Sequence, residues 1–398
     1  MGCGNCLFEV FMKKKLLTLL SYIMVATIAV TMALSVDSVL DSVKIPGNIK
    51  LEQLENLILD KFIGDADKTA MEDAAAIAMI EALGDRWSYY ISAKDYAAYM
   101  EQMNNSYVGI GVTIQQLPEG GFEITVVNPG GPAEAAGLKL GDVIVGVEGQ
   151  SVLEMDAAAC RDLVRGKEGT FVNLTVKRAG EKITLAVERK TVQTAVATGE
   201  MLPGNVGLVH IVNFDARCYD ETVAAIESLI SEGATALIFD VRYNPGGFKS
   251  ELVKILDYLL PEGPLFHSEN YLGETAVDKS DAKCLDIPMA VLVNGGSYSA
   301  AEFFAAALSE YEKAVVIGEK TTGKGHFQNT FLLADGSAVA LSTGRYMTPK
   351  GVSLEGVGIT PDIPVAVDEE TAYYIYAGIL DPMEDPQILA AMDALKNN

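Results

Sequence analysis

Three kinds of apolar patterning succeed one another along the chain. From 48 to 103 apolar positions recur at helical spacing, first Leu51, Leu54, Ile58 and Phe62, then Ala75, Ile77, Met79, Ile80 and Leu83. Gly84-Asp85-Arg86-Trp87-Ser88 interrupts this pattern, and Ser92 is placed to cap a further helix from about 93 to 103. From 106 to 191 the runs shorten to strand length. Val108–Ile114 and Phe122–Val127 flank the turn Pro118-Glu119-Gly120-Gly121, a helix is expected near 156–165, and strands at 170–177 and 182–188. From 204 to 360 strand and helix alternate. Strands are expected at Val206–Ile211, Ala236–Val241, Met289–Val293 and Ala314–Ile317, helices at 219–232, 248–259 and 300–310, and two more strands around Asp335-Gly336. Residues 366–398 read as helical again, with Pro382 and Pro386 near the last helix start. There is no internal repeat and no low-complexity tract.

The N-terminus changes this picture. Lys13, Lys14 and Lys15 precede the uncharged run Leu16–Leu34, which at about 1.5 Å per residue reaches roughly 28 Å, enough for a bilayer core. Thr31-Met32-Ala33 matches a small-x-small cleavage site poorly, so an uncleaved signal anchor is expected at 16–34, with secretion as the outcome if it is cut. The lysines precede the span, which puts the bulk of the chain outside the cytoplasm. Residues 1–11 begin like a myristoylation site, but Cys6 stands where Ser or Thr is required, and Met12 is an alternative start. The formal net charge of −24 argues against nucleic acid as a partner, since phosphate contacts need clustered Lys and Arg. Cys160, Cys218 and Cys284 follow the anchor at wide spacing, which fits free buried thiols and neither a disulfide framework nor a metal site.

Two segments carry candidate chemistry. Asn294-Gly295-Gly296-Ser297-Tyr298-Ser299-Ala300-Ala301-Glu302 puts two serines at a strand-to-helix turn, where a hydroxyl is exposed and helix N-terminal N–H groups point outward. Ser299 and Glu302 also have capping-box spacing. Gly323-Lys324-Gly325-His326-Phe327-Gln328 puts a lysine and a glutamine in a glycine-flanked segment. A chain with 3 histidines that hydrolyses through serine would most simply use lysine as its base, provided burial lowers the amine from about 10.4 toward 7–8. Gln328 could orient that amine. Asn244-Pro245-Gly246-Gly247 follows another strand, and its glycine N–H groups suit a developing oxyanion.

The order of residues 106–191, with the stretch Gly131-Pro132-Ala133-Glu134-Ala135-Ala136-Gly137-Leu138-Lys139-Leu140-Gly141-Asp142, resembles a PDZ domain of the bacterial protease type. Such domains add a peptide strand to a sheet edge and hold its C-terminal carboxylate on backbone N–H groups, here expected at Val108-Gly109-Ile110-Gly111. The Asn-Pro-Gly-Gly turn, the Ser-x-Ser-Ala-x-Glu segment, the Gly-Lys-Gly-x-x-Gln segment and the late Gly356-Val357-Gly358-Ile359-Thr360-Pro361-Asp362 occur in the order found in the carboxyl-terminal processing peptidases (tail-specific proteases). The resemblance covers about 48–365. Together with the anchor and the C-terminal helical pattern read above, it gives a multidomain α+β architecture: cytoplasmic n-region and anchor at 1–40, helical region at 41–105, PDZ domain at 106–191, a crotonase/ClpP-like α/β peptidase core at 192–365 and a helical segment at 366–398. It implies Ser299 as nucleophile, at the family's spacing from Lys324, with Lys324 as general base, Gln328 as its partner, and N–H groups of Gly246 or Gly247 and of Ala300 as the oxyanion hole. Arg165 is a candidate gating contact. No metal, nucleotide or other cofactor is implied. The implied partners are protein or peptide C-termini, the membrane through 16–34, and a second copy of the chain as a candidate dimer. Ala301, where many relatives carry serine, and Tyr298 beside the nucleophile depart from the family pattern.

Four other readings compete. Gly318–Lys324 matches seven positions of a phosphate-binding loop, but Gly325 removes the metal-binding hydroxyl. His210 or His326 could serve a Ser–His–Asp triad. A non-catalytic PDZ adaptor with an inactive core, and a crotonase-like acyl enzyme, are the remaining two.

Overall fold

The computed structural model describes residues 49–396. The expected anchor at 16–34 and everything before it lie outside the described residues, and among those described no helix is long and apolar enough to cross a membrane. The described residues fall into two compact units, 49–78 and 79–396. The first holds the helix Ile49–Lys61 and most of the helix Lys68–Glu81, as the apolar spacing predicts. Lys68 pairs there with Glu55 at 2.5 Å.

In the second unit, the region expected to be helical up to 105 is only partly so. The helix Tyr96–Met103 forms, but Tyr89–Ile91 is a strand paired antiparallel with Ala338–Ala340. Aromatic and β-branched residues favour a pleated surface over a helix, and a sheet edge from a distant part of the chain was there to receive them.

The PDZ-like unit is a sheet of Val112–Gln116, Phe122–Val127, Val143–Val147, Phe171–Arg178 and Glu181–Glu188, with the helix Ala157–Val164 beside it. Asp156 caps that helix by accepting the Ala159 N–H at 2.8 Å. Phe122, Ile124, Ile144, Leu174 and Cys160 fill a core of its own. The single strand expected over Val108–Ile114 is broken in two. Gly111 has φ +74°, which ends the pairing of Ser106–Gly109 with Lys190–Gln193 before Val112 begins a second sheet.

The core is an α/β sandwich. Ala197–Leu202 pairs antiparallel with Val206–Ile211. Parallel strands then follow in the order Val206–Ile211, Ala236–Asp240, Met289–Val293, Ala314–Gly318 and Ile363–Pro364. Successive residues of these strands serve opposite faces. Leu237, Phe239, Val291 and Val293 pack with Ile226, Leu252, Leu256 and Phe304 of the helices Cys218–Ser231, Lys249–Leu259 and Ala300–Glu310. Ile238, Ala290 and Leu292 pack with Ile388, Ala391 and Met392 of Pro386–Lys396. Burial on both faces is why these strands read as unbroken apolar runs. A second sheet joins Tyr89–Ile91, Gly263–Asn270, Thr275–Ser280, His326–Leu332 and Ala338–Met347. The hairpin from Gly263 to Ser280 has no counterpart in the hydrophobic pattern. Its turn is set by Asn270, whose Oδ1 accepts the N–H groups of Leu272 and Glu274, each at 3.0 Å.

The C-terminal helix is tied to the carboxyl end of a central strand by a buried ionic cluster. Arg242 donates to Asp240 through Nε at 2.9 Å and Nη2 at 2.6 Å, and through Nη1 to Asp385 at 2.7 Å and Gln387 at 2.9 Å. Burial by itself would raise the Asp240 carboxyl, but the Arg242 guanidinium outweighs it and holds that carboxyl well below the ordinary range. Replacing Arg242 by methionine leaves two buried carboxylates without their cation. A loss of about 3–5 kcal/mol is expected, seen as a lower urea midpoint at unchanged slope.

Candidate active site

The strand Met289–Val293 ends in a turn whose polar groups are almost all committed. Asn294 Oδ1 accepts the N–H groups of Gly296 at 2.9 Å and Tyr243 at 3.0 Å. Ser297 is fully buried. Its hydroxyl donates to the Val241 carbonyl at 2.7 Å and accepts the Asn294 N–H at 3.1 Å, so it ties two strand ends together. Ser299 differs from it. It sits at φ 58°, ψ −121°, a conformation costly for a residue with a Cβ, at the head of the helix Ala300–Glu310. Its side chain lines a cavity of about 850 Å³ together with Trp87, Asp215, Gly247, Lys324 and Gln328.

Glu302, one turn into that helix, is completely buried. Its carboxylate accepts the Ser299 N–H at 3.1 Å, the Thr321 hydroxyl at 2.5 Å, the Gly323 N–H at 2.6 Å and the Lys324 N–H at 2.9 Å. Both chemical segments are thus hung from one side chain. The capping-box spacing shows only the first of these bonds. The remaining signal in the sequence is a carboxylate amid Ala300, Ala301, Phe303 and Phe304, all buried.

The lysine segment is further fixed from behind. Glu355 accepts the Gly325 N–H at 2.6 Å, and the Tyr346 hydroxyl donates to the Lys324 carbonyl while lying within interaction range of the Ser299 side chain. The Lys324 amine is lowered to about 8. Burial is the main cause. Asp85, Glu355 and Glu302 push it back up, and Arg86 adds to the lowering.

Opposite the serine, Asn244 is buried and shapes the glycine turn. It donates to the Ile211 carbonyl at 2.8 Å and accepts the Gly246 N–H at 2.8 Å. That bond occupies Gly246, so of the two candidate glycines only Gly247 keeps its N–H without an acceptor among the described residues. Gly246 has φ +90°, and a Cβ there would lie 2.7 Å from the Ser299 Cβ and 2.8 Å from the Ala300 nitrogen. The glycine turn is therefore packed directly against the serine and the helix N-terminus. Asp215, absent from the sequence reading, borders the same turn. It is buried with Oδ1 unpartnered among the described residues, and burial raises its carboxyl to about 7.

Gln328 lines the cavity, but its amide donates to Ser342 Oγ at 3.0 Å and the His326 carbonyl at 3.2 Å rather than to Lys324. Both histidines have acidic neighbours that the sequence does not reveal. His210 lies 3.8 Å from Asp240 and His326 3.0 Å from Glu355, yet neither lines the cavity with Ser299. The segment after Lys324 is the strand His326–Leu332, which removes the helix a phosphate loop requires. Cys160 and Cys218 are buried with thiols raised by burial, to about 11 and about 12, whereas Cys284 is partly exposed, against expectation.

In the PDZ-like unit, Val108 and Gly109 end a strand, and the carbonyls of Ile110 and Gly111 accept from Ala133 at 2.9 Å and Asn128 at 3.0 Å. The N–H groups of Ile110 and Gly111 have no acceptor among the described residues. Arg165 follows the helix Ala157–Val164, and its guanidinium carbon lies 5.3 Å from the ring centroid of Tyr107, one residue before that loop.

A PDZ domain profile matches residues 123–178, and a profile of peptidase family S41 matches residues 205–365. The carboxy-terminal processing protease CtpA of Bacillus subtilis (strain 168) is 34% identical over 319 residues, covering 79% of this chain and 68% of that protein. The chain belongs to peptidase family S41. A probable CtpA-like serine protease of Staphylococcus saprophyticus is 32% identical over 330 residues, covering 81% of this chain and 66% of its own length. The chain thus spans about two thirds of the length of these relatives. A solved structure from Bacteroides fragilis NCTC 9343, assigned to the S41 proteases, has the same fold (TM-score 0.53, 18% identity, 87% of this chain and 97% of that one).

In this S41 serine peptidase, Glu302→Gln turns an amide NH₂ toward N–H donors. A loss of about 2–3 kcal/mol is expected in thermal unfolding. In a peptidase assay kcat/KM should fall at least about tenfold, because the serine and lysine segments lose their common support.

Proposed function

We propose that this chain is an envelope serine endopeptidase that captures protein C-termini through its PDZ domain and cleaves with a Ser299–Lys324 dyad. The carrying observation is the shared cavity of Ser299 and a half-buried Lys324 whose amine is lowered to about 8. Such an amine is neutral often enough near neutral pH to act as a base. Lys324 takes the Ser299 hydroxyl proton as Oγ attacks the scissile carbonyl carbon. The tetrahedral oxyanion is received by the N–H groups of Gly247 and Ala300, at a helix N-terminus whose dipole favours negative charge. The Lys324 ammonium then gives its proton to the departing amine nitrogen as the C–N bond breaks, and water, deprotonated by the same amine, resolves the acyl-enzyme. For Gln328 to orient Lys324, its side chain must turn away from Ser342. The free N–H groups of Ile110 and Gly111 support the carboxylate-binding role of the 108–111 loop, and Arg165 on Tyr107 is suitably near to report its occupancy. The run 16–34 supports anchoring with the catalytic part outside the cytoplasm.

The test is cleavage of an unfolded protein with an apolar C-terminus by the purified enzyme. Ser299→Ala and Lys324→Ala should each reduce kcat on the order of 10⁴-fold or more. Activity that survives Lys324→Ala would move the base elsewhere, and tail binding without any cleavage would favour the adaptor reading.

The pH profile follows from the sign of the lysine shift. The amine is protonated and inactive below its pKa. kcat/KM should therefore rise about tenfold per pH unit up to about 8 and level off above it.

A further inference from the structure

The Lys324 amine makes no hydrogen bond to a described residue; aromatic rings face it instead. Nζ lies 4.7 Å from the Trp87 ring centroid and 6.0 Å from that of Tyr298. The two rings are stacked, with centroids 5.9 Å apart and 26° between planes. The indole is held by its faces rather than by its nitrogen: Nε1 is buried without a partner among the described residues, and the Arg86 guanidinium carbon sits 4.0 Å from the ring centroid. The backbone beneath is fixed by Asp85, whose Oδ1 accepts the Trp87 N–H at 3.2 Å.

An aromatic face attracts an ammonium through its quadrupole and has no such attraction for a neutral amine. The contact therefore depends on the proton. We propose that Trp87, backed by Tyr298, is the positioning residue of the general base: its indole holds the protonated Lys324 and releases the neutral amine toward Ser299. This deepens the dyad reading and rests on it. Tyr298, a departure from the family pattern in the sequence, gains a purpose as the second wall of the clamp. The charged and titratable groups facing Lys324 are Asp85, Glu355 with its partner His326, and Glu302, together with Arg86 and the Tyr298 phenol. Trp87 contributes in two opposed ways. It excludes water, which lowers the amine, and offers its π-face, which raises it.

Variants separate the two effects. Trp87→Leu keeps the site dry but removes the quadrupole, so the acid limb of kcat/KM should move down by about half to one pH unit. Trp87→Phe, which retains an aromatic face, should restore most of that shift. A merely structural role would lower activity in both without moving the limb, and that result would overturn the proposal. A second readout needs no turnover. Trp87 is the one tryptophan of the chain, so its fluorescence between pH 7 and 9.5 reports this site alone. A transition is expected in the wild-type protein and in Ser299→Ala, and should vanish in Lys324→Met. A transition unchanged in Lys324→Met, or none in the wild type, would sink the clamp. A transition lost in Lys324→Met while peptidase activity persists would show the ring–ammonium contact but refute Lys324 as the base, and with it Trp87 as the residue that positions the base.

Discussion

The site hangs on one buried carboxylate. Glu302 accepts four donors, from Ser299, Thr321, Gly323 and Lys324, and so holds the serine turn and the lysine loop with one side chain. A buried carboxylate without donors would be prohibitively costly, so the two segments are held where its lone pairs need them. The helix that carries Glu302 is buried from Ala300 to Leu308 and packs in the core through Phe303 and Phe304. The position of the carboxylate is therefore set by the hydrophobic core, and the chemistry inherits the precision of that packing.

The parallel strands supply the rest. Ala236–Asp240, Met289–Val293 and Ala314–Gly318 run side by side in register, so the glycine turn, the serine turn and the lysine loop all emerge at their carboxyl ends. Side chains that are not catalytic do the joining. Ser297 binds the Val241 carbonyl, Asn244 holds both Ile211 and Gly246, and Asn294 gathers Tyr243 and Gly296. Arg242 closes the arrangement from the opposite side of the strand end by anchoring the C-terminal helix through Asp385 and Gln387.

The electrostatics of the cleft are set by dryness more than by pairing. Burial is the leading cause of the lowered Lys324 amine and of the raised Asp215 carboxyl, two groups that border one cavity. A lysine in such surroundings does not need a histidine's intrinsic pKa to serve as a base. The same surroundings explain why the amine rests against aromatic faces while Gln328 bonds elsewhere: the ring walls that exclude water are also what lies closest to the charge.

The elements with strong periodicity were legible in the sequence. The core strands are unbroken apolar runs because both faces are covered, the PDZ-like unit announces itself by its glycine turns, and Ser299, Lys324 and the Gly246-Gly247 pair sit in local motifs whose spacing survives without a structure. Other features depend on partners far away in the chain. Tyr89–Ile91 becomes a strand only because Ala338–Ala340 offers an edge, the hairpin of 263–280 has a turn signal but no clean alternation, and Gly246 loses its N–H to Asn244 by a bond that no spacing rule predicts. Glu302 shows the same division. Its capping-box spacing is local and readable, whereas its bonds to Thr321, Gly323 and Lys324 exist only once two parallel strands lie side by side. The sequence by itself determined which residues could do the chemistry, since local motifs and periodicity follow from backbone geometry. Only the tertiary structure decided which donors stay free and what the lysine rests against, because burial and long-range hydrogen bonding are properties of the packed chain.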